Sequence, residues 1–364
     1  MNLNEQHAKK WFTKCILSLI GILFLIAFIM IFVDPYFHYH KPLSFLSYRL
    51  HEQRYINDGI SRHFDYDAMI TGSSMTENFK PSEMDALFGT NAVKTSFSGA
   101  GYQELSQHVE RSLERNDSLR TVLWALDYNG FIREYDWKNY QDYPTYLYDD
   151  NPFNDTAYLF NKSIFYHGVL PCIERTISGT PSTTRDEYSS WEYETGLDAI
   201  MNTHDREIGS NTPIPFTQED HDMVVRTITK NISDLANKYP DVTFYLYYTP
   251  FSITYWESLK LDGLIERQFA AEQLVTELLL ECPNVKLYNF FDQYNIICDL
   301  NYYSDSGHHN AKVNSYILQW ISEDTGLITK ENYLEKLEQE RDFYLNYDYD
   351  SIYAGSIYEN IEVK

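Results

Sequence analysis

The sequence predicts an α/β protein, with helices on both faces of a mainly parallel sheet and a transmembrane helix in front of it. Three observations predict this. Short, fully apolar runs rich in β-branched and aromatic residues recur along the chain, as strands buried on both faces do. Stretches with helical periodicity separate those runs, which is the alternation of a layered α/β fold. Near the N-terminus stand 19 consecutive residues without a charge, Cys15 to Val33.

That first segment, CILSLIGILFLIAFIMIFV, is long enough to cross a hydrocarbon core of roughly 30 Å at about 1.5 Å per residue. Lys9, Lys10 and Lys14 precede it and Asp34 follows it. The positive-inside rule therefore puts residues 1–14 in the cytoplasm and everything after Val33 outside. A cleaved signal peptide has a shorter apolar core and a small-residue cleavage site, whereas this run ends in Phe-Val-Asp-Pro-Tyr-Phe. The expectation is a retained anchor, touching the bilayer through residues 15–33. Residues 34–65 follow as a juxtamembrane segment and the start of the globular domain, and the aromatic stretch DPYFHYHKP is expected at headgroup level.

Strands are expected at Ala68–Thr71, Thr121–Leu126, Thr243–Tyr248 and Val285–Asn289, each bounded by turn or charged residues. Helical periodicity runs over Gln103–Leu113, Glu219–Lys238, Ile265–Glu281 and about Asn310–Asp324. Together these define a domain over residues 66–330. Between about 131 and 215 the rhythm breaks into a stretch dense in Tyr, Asp and Asn, read as an insertion lying over one edge of the sheet. Its aromatic density argues for packing rather than for a disordered linker. Residues 331–364 supply a charged C-terminal helix and an acidic tail.

Composition narrows the function. The 364 residues, 43% hydrophobic, suffice for one large domain. A formal net charge of −24 argues against nucleic acid as a partner, because phosphate binding needs clustered Lys and Arg. Of the four cysteines, Cys15 lies in the apolar segment, and Cys172, Cys282 and Cys298 follow it. These three cannot all pair within one chain. A Cys282–Cys298 bridge and a set of buried thiols both remain open. No cysteine or histidine spacing matches a zinc site, and no motif calls for a metal or cofactor.

Three short stretches carry chemistry. In DAMITGSSMTENF the apolar run ends in Gly72-Ser73-Ser74. A serine on a sharp strand-to-helix corner has an exposed hydroxyl, near backbone N–H groups able to stabilise an oxyanion. The same residues also suit an ordinary turn or N-cap. In YYSDSGHHN, Asp305 and His308 stand three apart, so the carboxylate can orient an imidazole whose other nitrogen takes a serine proton. Alternatively Asp305 caps the following helix. His309 is a rival base, and the spacing favours His308. In SFSGAGYQE, a glycine turn before a helix offers oxyanion donors or a routine loop.

The order of these pieces resembles the SGNH (GDSL-like) hydrolase superfamily over roughly Tyr66 to Trp320. On that resemblance, Ser74 aligns with the nucleophile that ends the first block, and Ser73 stands where the family usually has Asp. Gly99 aligns with the oxyanion-donating glycine, and Asp305-Ser306-Gly307-His308 meets the Asp-x-x-His block. The third block, Gly-x-Asn-Asp, is met only loosely by LDYNGF, where Asn129 stands for the asparagine in a shifted register. Gly-Ser-Ser, a loose third block and an N-terminal anchor resemble the branch that holds the teichoic-acid D-alanine transfer proteins and extracytoplasmic enzymes of polysaccharide O-acetylation.

The resemblance implies a serine esterase or acyltransferase acting outside the membrane on acyl esters of cell-wall or surface polysaccharide. Those would be O-acetyl or D-alanyl esters. It also implies a membrane-bound acyltransferase as partner. A body at −24 repels a strongly anionic polymer, which favours a neutral polysaccharide or a substrate presented by a membrane partner. The rival expectation is a catalytically degenerate protein that binds glycan or scaffolds an acylation complex.

Overall fold

In the computed structural model the apolar runs assemble into one six-stranded sheet: β1 (Ala68–Gly72), β2 (Ala92–Ser96), β3 (Thr121–Leu126), β4 (Thr243–Tyr248), β5 (Val285–Tyr288) and β6 (Leu327–Ile328). The strand order is β2-β1-β3-β4-β5-β6. Strands β1 to β5 are all parallel and β6 is antiparallel to β5. The structure describes residues 3–140, 143–204, 206, 209 and 212–359. The first two residues of the expected cytoplasmic segment, part of the expected insertion and the last five residues of the tail lie outside them.

Two strands escape the sequence pattern. β2 carries Lys94 at its centre, which breaks the apolar run. The residue is buried because its ammonium donates to the carbonyls of Glu77 (2.5 Å) and Phe79 (2.8 Å). Two hydrogen bonds offset part of the desolvation that burying a cation costs. β6 is two residues long and has no periodicity to read.

Helices cover both faces. On one, Ala68 and Ile70 of β1, Leu123 and Ala125 of β3 and Tyr247 of β4 pack with Val313, Ile317 and Ile321 of the helix Ala311–Ser322. On the other, the Tyr248 hydroxyl lies 2.7 Å from Thr276 Oγ1 in the helix Ile265–Leu279. The expected helix over 219–238 is continuous from Gln218 to Lys238, with a wider π segment at Thr229–Ser233.

The chain divides into two compact units: Met1–Phe64 with Asp142–Thr184, and Asp65–Gln141 with Arg185–Lys364. Only the middle of the expected insertion thus separates from the sheet-bearing unit. In the first unit an N-terminal helix, Leu3–Val33, contains a 28-residue stretch, Gln6–Val33, long and apolar enough to cross a membrane. After it, Tyr36 and Phe37 are buried, because the chain folds back around Asp34. That carboxylate accepts from the backbone N–H groups of His38 (3.0 Å), Tyr39 (2.8 Å) and His40 (3.0 Å), and from the Tyr158 hydroxyl (2.8 Å). All four cysteines are free thiols, so the Cys282–Cys298 bridge is not formed.

Candidate active site

The strand order reverses direction between β1 and β3, the switch point at whose carboxyl end open α/β sheets form their binding crevice. Gly72, the last residue of β1, has φ +150°, and a Cβ there would lie 2.6 Å from Thr76 Cγ2. Only glycine lets the chain turn this sharply. Ser73 then caps a single 3₁₀ turn, Ser74–Thr76, accepting from Met75 N. The turn is braced by Thr76 Oγ1 against Ser96 Oγ at 2.7 Å and by Asn314 Nδ2 donating to Met75 O at 3.0 Å.

The structure brings Ser74, His308 and Asp305 together in one line. Ser74 Oγ lies 2.8 Å from His308 Nε2, and His308 Nδ1 lies 2.7 Å from Asp305 Oδ2. Asp305 Oδ1 also accepts from the backbone N–H groups of His308 (2.7 Å) and Gly307 (2.8 Å). Burial works to raise the Asp305 pKa, but the hydrogen bonds from His308 and Gly307 outweigh it and hold the carboxyl at about 2. In return, the hydrogen bond that His308 donates to Asp305 raises the His308 pKa above its ordinary value, against the opposing effect of burial. A serine, an imidazole and a carboxylate so connected can pass a proton from hydroxyl to ring.

The loop that presents these two residues is fixed at both ends. Ser304 N donates to His308 O at 2.9 Å, and Asn310 N donates to Tyr302 O at 2.8 Å. Asn310 caps the helix Ala311–Ser322 through Lys312 N, so Asp305 does not cap it and is left to orient the ring. His309 is buried, and burial lowers its pKa to about 4. Its ring packs edge-on to Tyr303, and Nδ1 lies 3.4 Å from Asn310 O, with no contact to Ser74. Trp191 sets its ring edge-on to His308, with centroids 5.8 Å apart.

Gly99 lies in the turn after β2 with φ +64°. Among the described residues its N–H and that of Ser74 make no internal hydrogen bond. Both residues line the cavity into which Ser74 opens. Asn129, in the 3₁₀ turn Tyr128–Gly130, lines the same cavity but is exposed. The residue of that segment tied into the site is Asp127. It accepts from the Ser73 hydroxyl and, at 2.7 Å, from Thr249 Oγ1. Its pKa is raised by burial, which the two hydroxyl donors partly counteract.

The cavity has a volume of about 470 Å³. Tyr102, Trp137, Phe251 and Tyr255 give it aromatic walls, and Arg133, Glu134 and Asn139 add polar groups. Arg133 stacks over Trp137 at 4.1 Å from the ring centroid. Sequence reasoning missed Asp127, Thr249 and Trp137. A signal for Asp127 exists: it is the first polar residue past TVLWAL, where a central parallel strand delivers its side chain to the crevice. Thr249 carries the same signal, as the first residue past TFYLYY at the end of the neighbouring parallel strand, whereas nothing comparable marks Trp137. Among the described residues no group of three His, Cys, Asp or Glu converges as a metal-ligand set. Comparison of the chain with protein-family models, curated proteins and solved structures gives no match.

Proposed function

We propose that this chain is a membrane-anchored serine esterase or acyltransferase of the SGNH type, acting on acyl esters of surface polysaccharide. The observation that carries the reading is the connected line Ser74–His308–Asp305 at the carboxyl ends of the parallel strands, opening into a cavity with room for a substrate. Three polar groups connected at such spacings support the catalytic reading over that of a scaffold.

In this mechanism the Ser74 oxygen attacks the carbonyl carbon of the ester as His308 Nε2 takes the hydroxyl proton. The N–H groups of Ser74 and Gly99 hold the oxyanion, a contribution typically worth about 2.7–4 kcal/mol per donor. As the tetrahedral intermediate collapses, the imidazolium gives its proton to the leaving alkoxide and an acyl-serine remains. Water then completes hydrolysis, or a sugar hydroxyl completes transfer, with His308 acting as base again. Asp305 keeps the proton on Nδ1, so that Nε2 faces the serine as an acceptor.

Aromatic walls beside Arg133, Glu134 and Asn139 suit a sugar, which presents apolar ring faces and hydroxyl edges. Three lysines before the apolar run of residues 15–33 favour a cytoplasmic N-terminus and a domain outside the membrane, within reach of envelope glycans and of a membrane-bound acyl donor. The test is ester hydrolysis by the full chain in detergent, on p-nitrophenyl acetate and on acetylated neutral polysaccharides. Activity lost in Ser74→Ala supports the proposal. Activity unchanged in that variant, or absent in the native chain on every ester tried, contradicts it.

A further inference from the structure

We infer that the unit Met1–Phe64 with Asp142–Thr184 carries a second membrane contact. It is an apolar wedge made by Phe45 and the outward face of the 162–178 helix, seated in the lipid interface beside the N-terminal helix.

The 162–178 helix runs through Lys162–Ile164, a π segment Phe165–Val169 and Leu170–Ser178. Its inward side chains are Ile164, Val169 and Cys172. Its outward face is not the polar one expected of a helix on a soluble surface. Tyr166 is 54%, Leu170 38% and Ile177 82% exposed, with Ile173 half-buried between them. Steps of four, three and four residues place all four on one stripe. Single exposed apolar residues need no explanation, but an aligned row marks an interaction surface.

Two contacts tie this helix to the segment that follows the N-terminal helix. Gly168 packs so closely on Pro35 that a Cβ there would lie 2.9 Å from the proline Cγ. The Ser47 N–H donates to Thr176 Oγ1 at 2.8 Å, beside Ile177. Between Pro35 and Ser47 the chain turns back at Leu43–Leu46, with Leu46 N donating to Leu43 O at 3.0 Å. That turn sets Phe45, 61% exposed, 6.1 Å ring to ring from Phe32, which itself stacks on Phe28 at 5.9 Å. Phe45 therefore lies level with the last apolar turn of the N-terminal helix, not beyond it.

The occupant this arrangement fits is lipid. The wedge is continuous with the apolar surface of the N-terminal helix through Phe28, Phe32 and Phe45. The exposed Lys41, Arg49 and Lys162 flank it, where cationic heads reach the phosphate level while apolar neighbours sink below. Glu174 is the one carboxylate of the 162–178 helix. An interfacial helix of this kind binds mainly through its apolar face, so neutral lipid suffices.

The inference rests on the N-terminal helix lying in a bilayer, and the experiment separates the two. The full chain, in a Cys15→Ser, Cys298→Ser background, is placed in phosphatidylcholine nanodiscs with an environment-sensitive fluorophore at one new cysteine. The sites are Phe45→Cys, Ile177→Cys, Leu23→Cys in the N-terminal helix and Leu334→Cys in the C-terminal helix. Brominated lipid should quench positions 45, 177 and 23 at least about twofold more than position 334, and aqueous iodide should do the reverse. Lipid quenching at 23, with 45 and 177 as open to iodide as 334, overturns the wedge while leaving the span intact. Shielding of 45 and 177 from both quenchers means that protein covers them and also overturns it. Failure at 23 as well overturns both.

Discussion

Replacing Asp305 by asparagine changes one charge and little volume, and its consequence can be worked from the hydrogen bonds. Asp305 Oδ2 receives the His308 Nδ1 proton at 2.7 Å. An amide whose carbonyl keeps the two backbone donors must turn its NH₂ toward Nδ1, forcing the ring proton onto Nε2. The ring then offers Ser74 a donor where the reaction needs an acceptor, an exchange that typically costs about 10⁴ in kcat. The electrostatic part is smaller. A carboxyl held at about 2 against an ordinary 3.8 corresponds to about 2.4 kcal/mol at about 1.36 kcal/mol per pKa unit. The side chain is 33% exposed, so screening reduces the pair to on the order of 1 kcal/mol. The signs follow by linkage. The Asp305 contribution is present above about pH 4 and is lost as pH falls through about 2. The raised pKa of His308 contributes stability below about pH 6.5 that is lost as pH rises through its folded value. Asp305→Asn should therefore destabilise most between about pH 4 and 6.5, by roughly 1 kcal/mol. In the native chain, kcat/KM should fall on acidification with an apparent pKa above 6.5, as the base becomes protonated. The assay is a pH–rate profile of ester hydrolysis beside thermal melts at matched pH. A variant within about tenfold of native, with its acid limb unmoved, would refute the reasoning.

Three further substitutions test other parts of the site and fold. Asp127→Ala leaves the Ser73 and Thr249 hydroxyls without their acceptor. It should cost about 1–3 kcal/mol in a denaturant melt and, through a displaced corner, about 10² in kcat. Gly99→Ala puts a Cβ 2.8 Å from Asn139 Nδ2 at a φ of +64°. It should lower kcat about 10- to 100-fold by moving an oxyanion donor, with KM far less affected. Glu272 and Glu340 are buried with Asn289 Nδ2 donating to each at 2.8 Å, and burial raises both carboxyls, Glu340 to about 8. The unfolded chain loses that proton near pH 4.3, so stability should decline from there up to about pH 8. Glu340→Gln should flatten that decline by about 1–3 kcal/mol between pH 5 and 8.5, read from melts at the two pH values. An equally steep decline in the variant would clear the pair of responsibility.

Legibility in the sequence tracked how locally each feature is encoded. β1, β3 and β4 are runs of apolar, aromatic and β-branched residues, β5 keeps that character around a half-exposed Lys286, and all four are readable within a residue at each end. β2 was not, because Lys94 is acceptable inside a sheet only when carbonyls as distant in sequence as Glu77 O meet it. The spacing of Asp305 and His308 was visible because one loop holds both. Their approach to Ser74, 234 residues away, is a product of topology and was inferred only from resemblance. Asp127 was passed over in favour of Asn129, since a motif register does not show which side chain the strand end turns toward Ser73. The aromatic stretch after the apolar helix was expected at the headgroups for its composition. Its first part, Asp34 to His38, is buried because the Asp34 carboxylate gathers three consecutive backbone N–H groups, a fold-back that composition cannot reveal.

The central claim is that Ser74 is a nucleophile activated by His308. Its most direct measurement is covalent labelling of the full chain with a fluorophosphonate, with the modified peptide identified by mass spectrometry. An activated serine attacks phosphorus and expels fluoride, leaving a stable phosphonyl ester, whereas an ordinary turn serine stays unmodified. The proposed mechanism predicts one labelled site at Ser74, abolished in Ser74→Ala and slowed at least about 10³-fold in His308→Ala. Label on another residue, or none on Ser74 in a folded native chain, would contradict it.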